Sequence, residues 1–137
     1  MTSADRATAV TTAAAAREHT RLVVRERWDT ATRTAREEDV IDLMLVVSEL
    51  VTNALRHGDG LAAFEAVATA DGVLLAVHDH SDVVPDAVHG AGAFPLAGHG
   101  QGYGWPIIIR LARDIVVRPR PGGGKTISVL VPVRDQA

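Results

Sequence analysis

From Val40 to Ala54 the apolar residues return at intervals of three and four: Val40, Leu43, Met44, Val47, Leu50, Val51 and Ala54. That spacing lines one side of an α-helix. The helix should begin near Glu37–Asp39, whose carboxylates suit the positive end of the dipole, and stop near His57–Gly58, where glycine suits a left-handed cap. An earlier helical pattern, Ala13 to Thr34, sets Leu22, Val23 and Trp28 among many arginines and predicts an amphipathic covering helix, weakened at its end by Thr30, Thr32 and Thr34. Residues 1–12 are small and polar and predict a frayed, flexible N-terminus, leaving 13–137 as one domain.

Further along, the period changes to two. Leu61–Thr69 and Gly72–Asp79 predict strands joined at Ala70-Asp71-Gly72, an Asp-Gly hairpin signal. In the second strand Val73, Leu75, Val77 and Asp79 share a face, which puts a carboxylate on an apolar surface. Asp82–Gly98 is rich in Pro, Gly and Ala without a period and reads as a long loop of the kind that serves as a lid. Pro106–Arg113 predicts a short helix, and Asp114–Arg118 with Thr126–Val133 a second hairpin around Pro119–Lys125. The order predicts an α+β, two-layer α/β sandwich, with the helices on one face of a mixed, mostly antiparallel sheet.

Composition narrows the classes. At 137 residues and 47% hydrophobic the chain suits a single globular domain. A formal net charge of -3 supplies no overall basic field, so direct nucleic-acid binding is not expected. There are no cysteines, hence no disulfides, thiolate nucleophiles or cysteine zinc sites. No apolar run approaches the ~18 residues of a membrane span, and a cytoplasmic protein without membrane contact is expected.

Chemistry concentrates in Val46–Gly58, VVSELVTNALRHG. Glu49 and Asn53 stand one helical turn apart, away from the core stripe and close to Leu45 and Val46. A carboxylate can take a proton and a carboxamide oxygen can hold a metal ion, so the pair suits the floor of a ligand pocket. The glycines of GHGQGYG, Gly98, Gly100, Gly102 and Gly104, precede an apolar helix and would let backbone N–H groups approach phosphate. No strand leads directly into them, which excludes a dinucleotide fingerprint. Gly124-Lys125-Thr126 imitates the end of a P-loop, but Pro119 stands where that loop needs its first glycine and a strand follows instead of a helix. His78 and His80 form an H-x-H pair without a third ligand at suitable spacing, and read as ordinary surface or core histidines. Ser48 and Ser81 belong to no triad that sequence supports.

Taken together these boxes carry a resemblance. Ser48–Gly58, SELVTNALRHG, resembles the N-box of the GHKL, or Bergerat-fold, ATPases, and specifically the short bacterial anti-sigma-factor serine/threonine-protein kinases. Asp79-His80-Ser81 is similar to the next box, normally Asp-x-Gly. Gly100-Gln-Gly-Tyr-Gly-Trp-Pro-Ile-Ile resembles the second glycine box, and Gly124-Lys-Thr-Ile-Ser-Val the final strand with its adenine-site threonine.

The resemblance implies ATP and Mg²⁺ as cofactors, with Glu49 as general base and Asn53 as Mg²⁺ ligand. It makes Asp79 the acceptor for the adenine amino group and Thr126 its support, with Ser81 at the pocket edge and Arg56 and His57 bordering the pocket. Gly98, Gly100, Gln101, Gly102, Tyr103 and Gly104 would form the phosphate-closing segment. Ser81 departs from the expected glycine, and Pro106 opens the following helix, where a first-turn proline is tolerated.

The implied activity is transfer of the ATP γ-phosphate to a STAS-type anti-anti-sigma protein, with a sigma factor as a further partner and a homodimer as the assembly. The alternative is an ATP-binding module without catalysis that docks a partner in a nucleotide-dependent way. A histidine kinase would need a dimerisation and phosphoacceptor domain for which the chain has no room, and a purely structural helix–sheet domain is the remaining reading.

Overall fold

The computed structural model describes residues 10–85 and 104–137. Helix α1 spans Ala13–Val23, capped by Thr12, whose Oγ1 accepts the Ala15 N–H at 3.0 Å. Five residues, Val24–Trp28, continue it as a π-helical turn. The helical pattern does not persist to Thr34 because the threonines bond their own backbone: Thr30 Oγ1 accepts the N–H groups of Thr32 and Arg33 at 3.2 and 3.1 Å. Packing begins before residue 13. Val10 is buried in the core.

Helix α2 runs Glu37–His57, β1 Leu61–Ala68, β2 Gly72–Asp79, helix α3 Gly104–Leu111, β3 Arg113–Pro119 and β4 Lys125–Pro132. The strands form one sheet in the order β1-β2-β4-β3, every described pair antiparallel. Among the described residues the expected mostly antiparallel sheet is antiparallel throughout. A crossover by α3 inserts β4 between β2 and β3, and the helices cover one face, giving the expected two-layer α+β sandwich.

The core lies between α2 and that face. Leu43, Val47, Leu50 and Val51 of α2 meet Val73, Leu75 and Val77 of β2 and Ile127, Val129 and Val131 of β4. Each such side chain contributes about 1.5–3 kcal/mol relative to exposure. Val46 belongs to this buried set, so the polar side of α2 is narrower than its sequence suggests. Asp39, buried in the first turn of α2, accepts the Arg134 N–H at 2.9 Å and ties the helix start to the chain after β4.

No described helix is long and apolar enough to cross a membrane.

Candidate functional site

Glu49 and Asn53 lie half-buried in the second half of α2, on its partly polar side. The Glu49 carboxylate has no hydrogen-bond or ion-pair partner among the described residues. Asn53 Nδ2 is buried and also unpartnered, an unusual state for an amide in a native fold. Two polar side chains one turn apart are thus held out of the hydrogen-bond network of the described residues.

At the C-terminus of α2, Gly58 closes the helix by donating to Ala54 O at 3.0 Å. Its φ of -102° is not left-handed. The left-handed positions are the next two, Asp59 (φ 57°) and Gly60 (φ 107°). Glycine is required at 58 for space: a Cβ there would stand 2.6 Å from Asp79 Oδ2 and 2.8 Å from Asp79 Cβ. The Gly58 carbonyl then accepts the His80 N–H at 2.9 Å. Helix end and strand end are bonded together at this point.

Asp79, the last residue of β2, is 2% exposed. Oδ1 accepts the Ser81 N–H at 3.0 Å, and Lys125 Nζ, from the directly opposite position on β4, lies 2.9 Å from Oδ2 and 3.2 Å from Oδ1. The ammonium also reaches the Ser81 carbonyl at 3.2 Å. Arg120, in the β3–β4 turn, donates to the Asp79 carbonyl at 2.9 Å, and Asp82 accepts the Gly124 N–H at 2.7 Å. Gly124 has φ 86°, and a Cβ there would collide with the Asp79 carbonyl. Ser81 is buried, its Oγ accepting the Val83 N–H at 3.1 Å. Asp59 and Asp114 are the non-glycine residues with positive φ among those described, so serine replaces the expected glycine without backbone strain.

Thr126 is not beside Asp79. Side chains alternate along a strand, and Thr126 pairs with His78 on the outer face of the sheet, its Oγ1 2.7 Å from His78 Nδ1. His78 Nε2 in turn meets Glu65 Oε1 at 2.7 Å. The position opposite Asp79 is Lys125, which sequence reasoning passed over. The signal was present: Lys125 precedes Ile127, Val129 and Val131 at period two, as Asp79 follows Val73, Leu75 and Val77.

Arg56 and His57 are exposed in the last turn of α2, where cations suit the negative end of the dipole. Gly104 is the first residue of α3, which packs against α2. Gly98, Gly100, Gln101, Gly102 and Tyr103 lie outside the described residues, as does most of the 82–98 loop.

Asn53 and Glu49 are the side chains here that could hold a hard cation. Mg²⁺ is ordinarily held by one or two protein oxygens, with phosphates and water completing its octahedron. Asn53, an unengaged carboxamide beside an unengaged carboxylate, is that kind of ligand. Among the described residues no cluster of three His, Cys, Asp or Glu forms a dedicated metal cage.

The fold is thus a two-layer α/β domain whose longest helix ends against the strand end that carries Asp79. The family model for the histidine kinase-like ATPase domain matches residues 8–130, nearly the whole chain, and the chain belongs to that family. No curated protein and no solved structure matches it significantly.

Proposed function

We propose that this ATPase domain is an ATP-dependent protein serine/threonine kinase of the anti-sigma-factor type, whose acceptor is a STAS-type anti-anti-sigma protein. The observation that carries the reading is the half-buried, unpartnered Glu49 one turn from the unpartnered Asn53 amide. A general base must be free to take a proton, and an engaged carboxylate would have to break a bond first.

In this reading Asp79 accepts a hydrogen bond from the adenine amino group and fixes the base. Asn53 would hold Mg²⁺ through its carboxamide oxygen, and the ion would supply charge neutralisation during transfer. Glu49 orients the acceptor hydroxyl and takes its proton as the hydroxyl oxygen forms a bond to the γ-phosphorus and the bond to the ADP oxygen breaks. Phosphoryl transfer asks mainly for positioning and charge stabilisation, so a small constellation suffices. A sigma factor as second partner and a homodimer belong to the same proposal.

The test is phosphate transfer from labelled ATP to candidate STAS proteins encoded near this chain, by wild type and Glu49→Gln. Transfer to serine or threonine, reduced at least 100-fold in the variant while nucleotide affinity stays within threefold, supports the kinase. Nucleotide binding without transfer to any candidate overturns it. The second reading, a non-catalytic module that docks its partner only with nucleotide bound, draws on Ser81 in place of the first-box glycine. It predicts partner affinity that depends on ATP and is unchanged in Glu49→Gln.

A further inference from the structure

Lys125 and Asp79 face each other across β4 and β2 on the helix-covered side of the sheet, 4% and 2% exposed. Taking two charges out of water is costly, and a well-packed apolar pair of similar volume would join the strands as well or better. Strand packing alone does not call for a carboxylate and an ammonium here. Their hydrogen bonds show what remains available. Among the described residues Asp79 Oδ1 is met by two donors, the Ser81 N–H and Lys125 Nζ, whereas Oδ2 is met by Lys125 alone. An ionised oxygen accepts about two hydrogen bonds. Oδ2 therefore has capacity for one more donor, and 2.9 Å from it stands an ammonium whose contact with the Ser81 carbonyl is long, at 3.2 Å.

An acceptor beside a donor is the complement of one edge of adenine, where the exocyclic amino group donates and ring N1 accepts. Those two nitrogens are about 2.3 Å apart, for C–N bonds of about 1.33 Å meeting at about 120°. The spacing suits an oxygen and a nitrogen 2.9 Å apart reached by two roughly parallel hydrogen bonds. We propose that Lys125 is a specificity-determining residue of the nucleotide site: Asp79 Oδ2 accepts from the adenine amino group while Lys125 Nζ donates to N1, giving up its contact with the Ser81 carbonyl. This rests on the nucleotide reading above and extends it to a second base contact, direct and charge-assisted. A 6-oxo purine placed the same way would set its oxygen against the carboxylate and its N1–H against the ammonium, two mismatches at once.

The experiment is calorimetric titration of the full chain, without divalent metal, with ADP, 1-deaza-ADP, 7-deaza-ADP and IDP. Replacing N1 by C–H should weaken binding at least tenfold, 7-deaza-ADP should bind within threefold of ADP, and IDP should be rejected at least as strongly as 1-deaza-ADP. In Lys125→Met the affinity for ADP should fall to that for 1-deaza-ADP, while Lys125→Gln, whose amide keeps a donor, should retain part of the difference. Equal binding of ADP and 1-deaza-ADP by wild type overturns the assignment even if neither variant folds. Discrimination undiminished in Lys125→Met overturns it too, since another group would then read N1. Failure of wild type to bind ADP at all refutes the nucleotide reading itself, an outcome distinct from binding without discrimination.

Discussion

Gly58→Ala sets two opposed effects against each other. At φ -102° the residue occupies backbone open to any amino acid, so alanine should stabilise by about 0.4–1 kcal/mol through the lower entropy of the unfolded chain. The added methyl, however, would stand 2.6 Å from Asp79 Oδ2 and 2.8 Å from both Cβ and Cγ, where carbon contacts optimally lie at about 3.5–4.0 Å. Asp79 has no easy retreat. Its carboxylate is held by Lys125 and the Ser81 N–H, its carbonyl by Arg120, and one of the crowded atoms is its own Cβ.

Overpacking of this kind costs about 1–3 kcal/mol, so the net expectation is a loss of about 1–2 kcal/mol. For a chain of 137 residues the unfolding entropy is about 0.3 kcal/mol/K, which puts the fall in Tm at about 3–7 °C. Because the displaced group is Asp79, ADP affinity should fall with it. Gly122→Ala is the control: it has nothing within 4 Å but φ 87°, so it should cost about 1 kcal/mol of backbone strain and leave ADP binding alone. Urea unfolding followed by circular dichroism, with ADP titration of each variant, measures both quantities. A Gly58→Ala protein as stable as wild type, with unchanged ADP affinity, would refute the steric argument.

Thr126→Val should lose about 1 kcal/mol of stability with its hydrogen bond to His78, yet bind ADP within threefold of wild type because it lies on the far side of the sheet; a larger loss by titration would place it in the site. Asp79→Asn should cost about 3 kcal/mol by leaving the buried Lys125 ammonium without its counter-charge, whereas the double change Asp79→Leu with Lys125→Met should recover most of that stability in urea unfolding and still bind no ADP. The N–H of Thr34, first among several donors, holds the Asp135 carboxyl below its ordinary 3.8. A depressed carboxyl pKa stabilises the fold above the unfolded value and ceases to as pH falls through the folded one. Acid unfolding below pH 3.8 should therefore be less steep in Asp135→Asn, and identical profiles would argue against the contribution.

Much of the architecture could be read because one-sided burial imposes a period. The stripe from Val40 to Ala54 located α2, and alternation in Gly72–Asp79 placed a carboxylate on the core side of β2, where it is found. Helix length was less legible at Trp28, since the competition between helix and local threonine hydrogen bonds is decided by tertiary packing. Gly58 shows a residue rightly noticed for the wrong physical reason: the left-handed turn falls to Asp59 and Gly60, and the glycine makes room for a side chain 21 positions away. The partner of Asp79 depends on cross-strand register, which shifts a side chain to the opposite face with each residue. The family resemblance singled out Thr126, whereas pairing across the sheet sets Lys125 opposite Asp79. The glycines from 98 to 102 fall outside the described residues, so their part rests on sequence.

The hydrogen bond from His80 to Gly58 has a consequence for ligand length. Along the α2 axis Asn53 lies about 7.5 Å and Glu49 about 13.5 Å from Gly58, at about 1.5 Å per residue. Because Gly58 is bonded to the strand end that carries Asp79, these intervals are set by helical rise and not by side-chain choice. The domain works as a ruler of fixed graduation: a molecule anchored at Asp79 must be long enough to present a phosphate to the middle of α2. On the proposed function, a bare nucleobase or nucleoside would satisfy the Asp79 end and still fall short of Asn53 and Glu49.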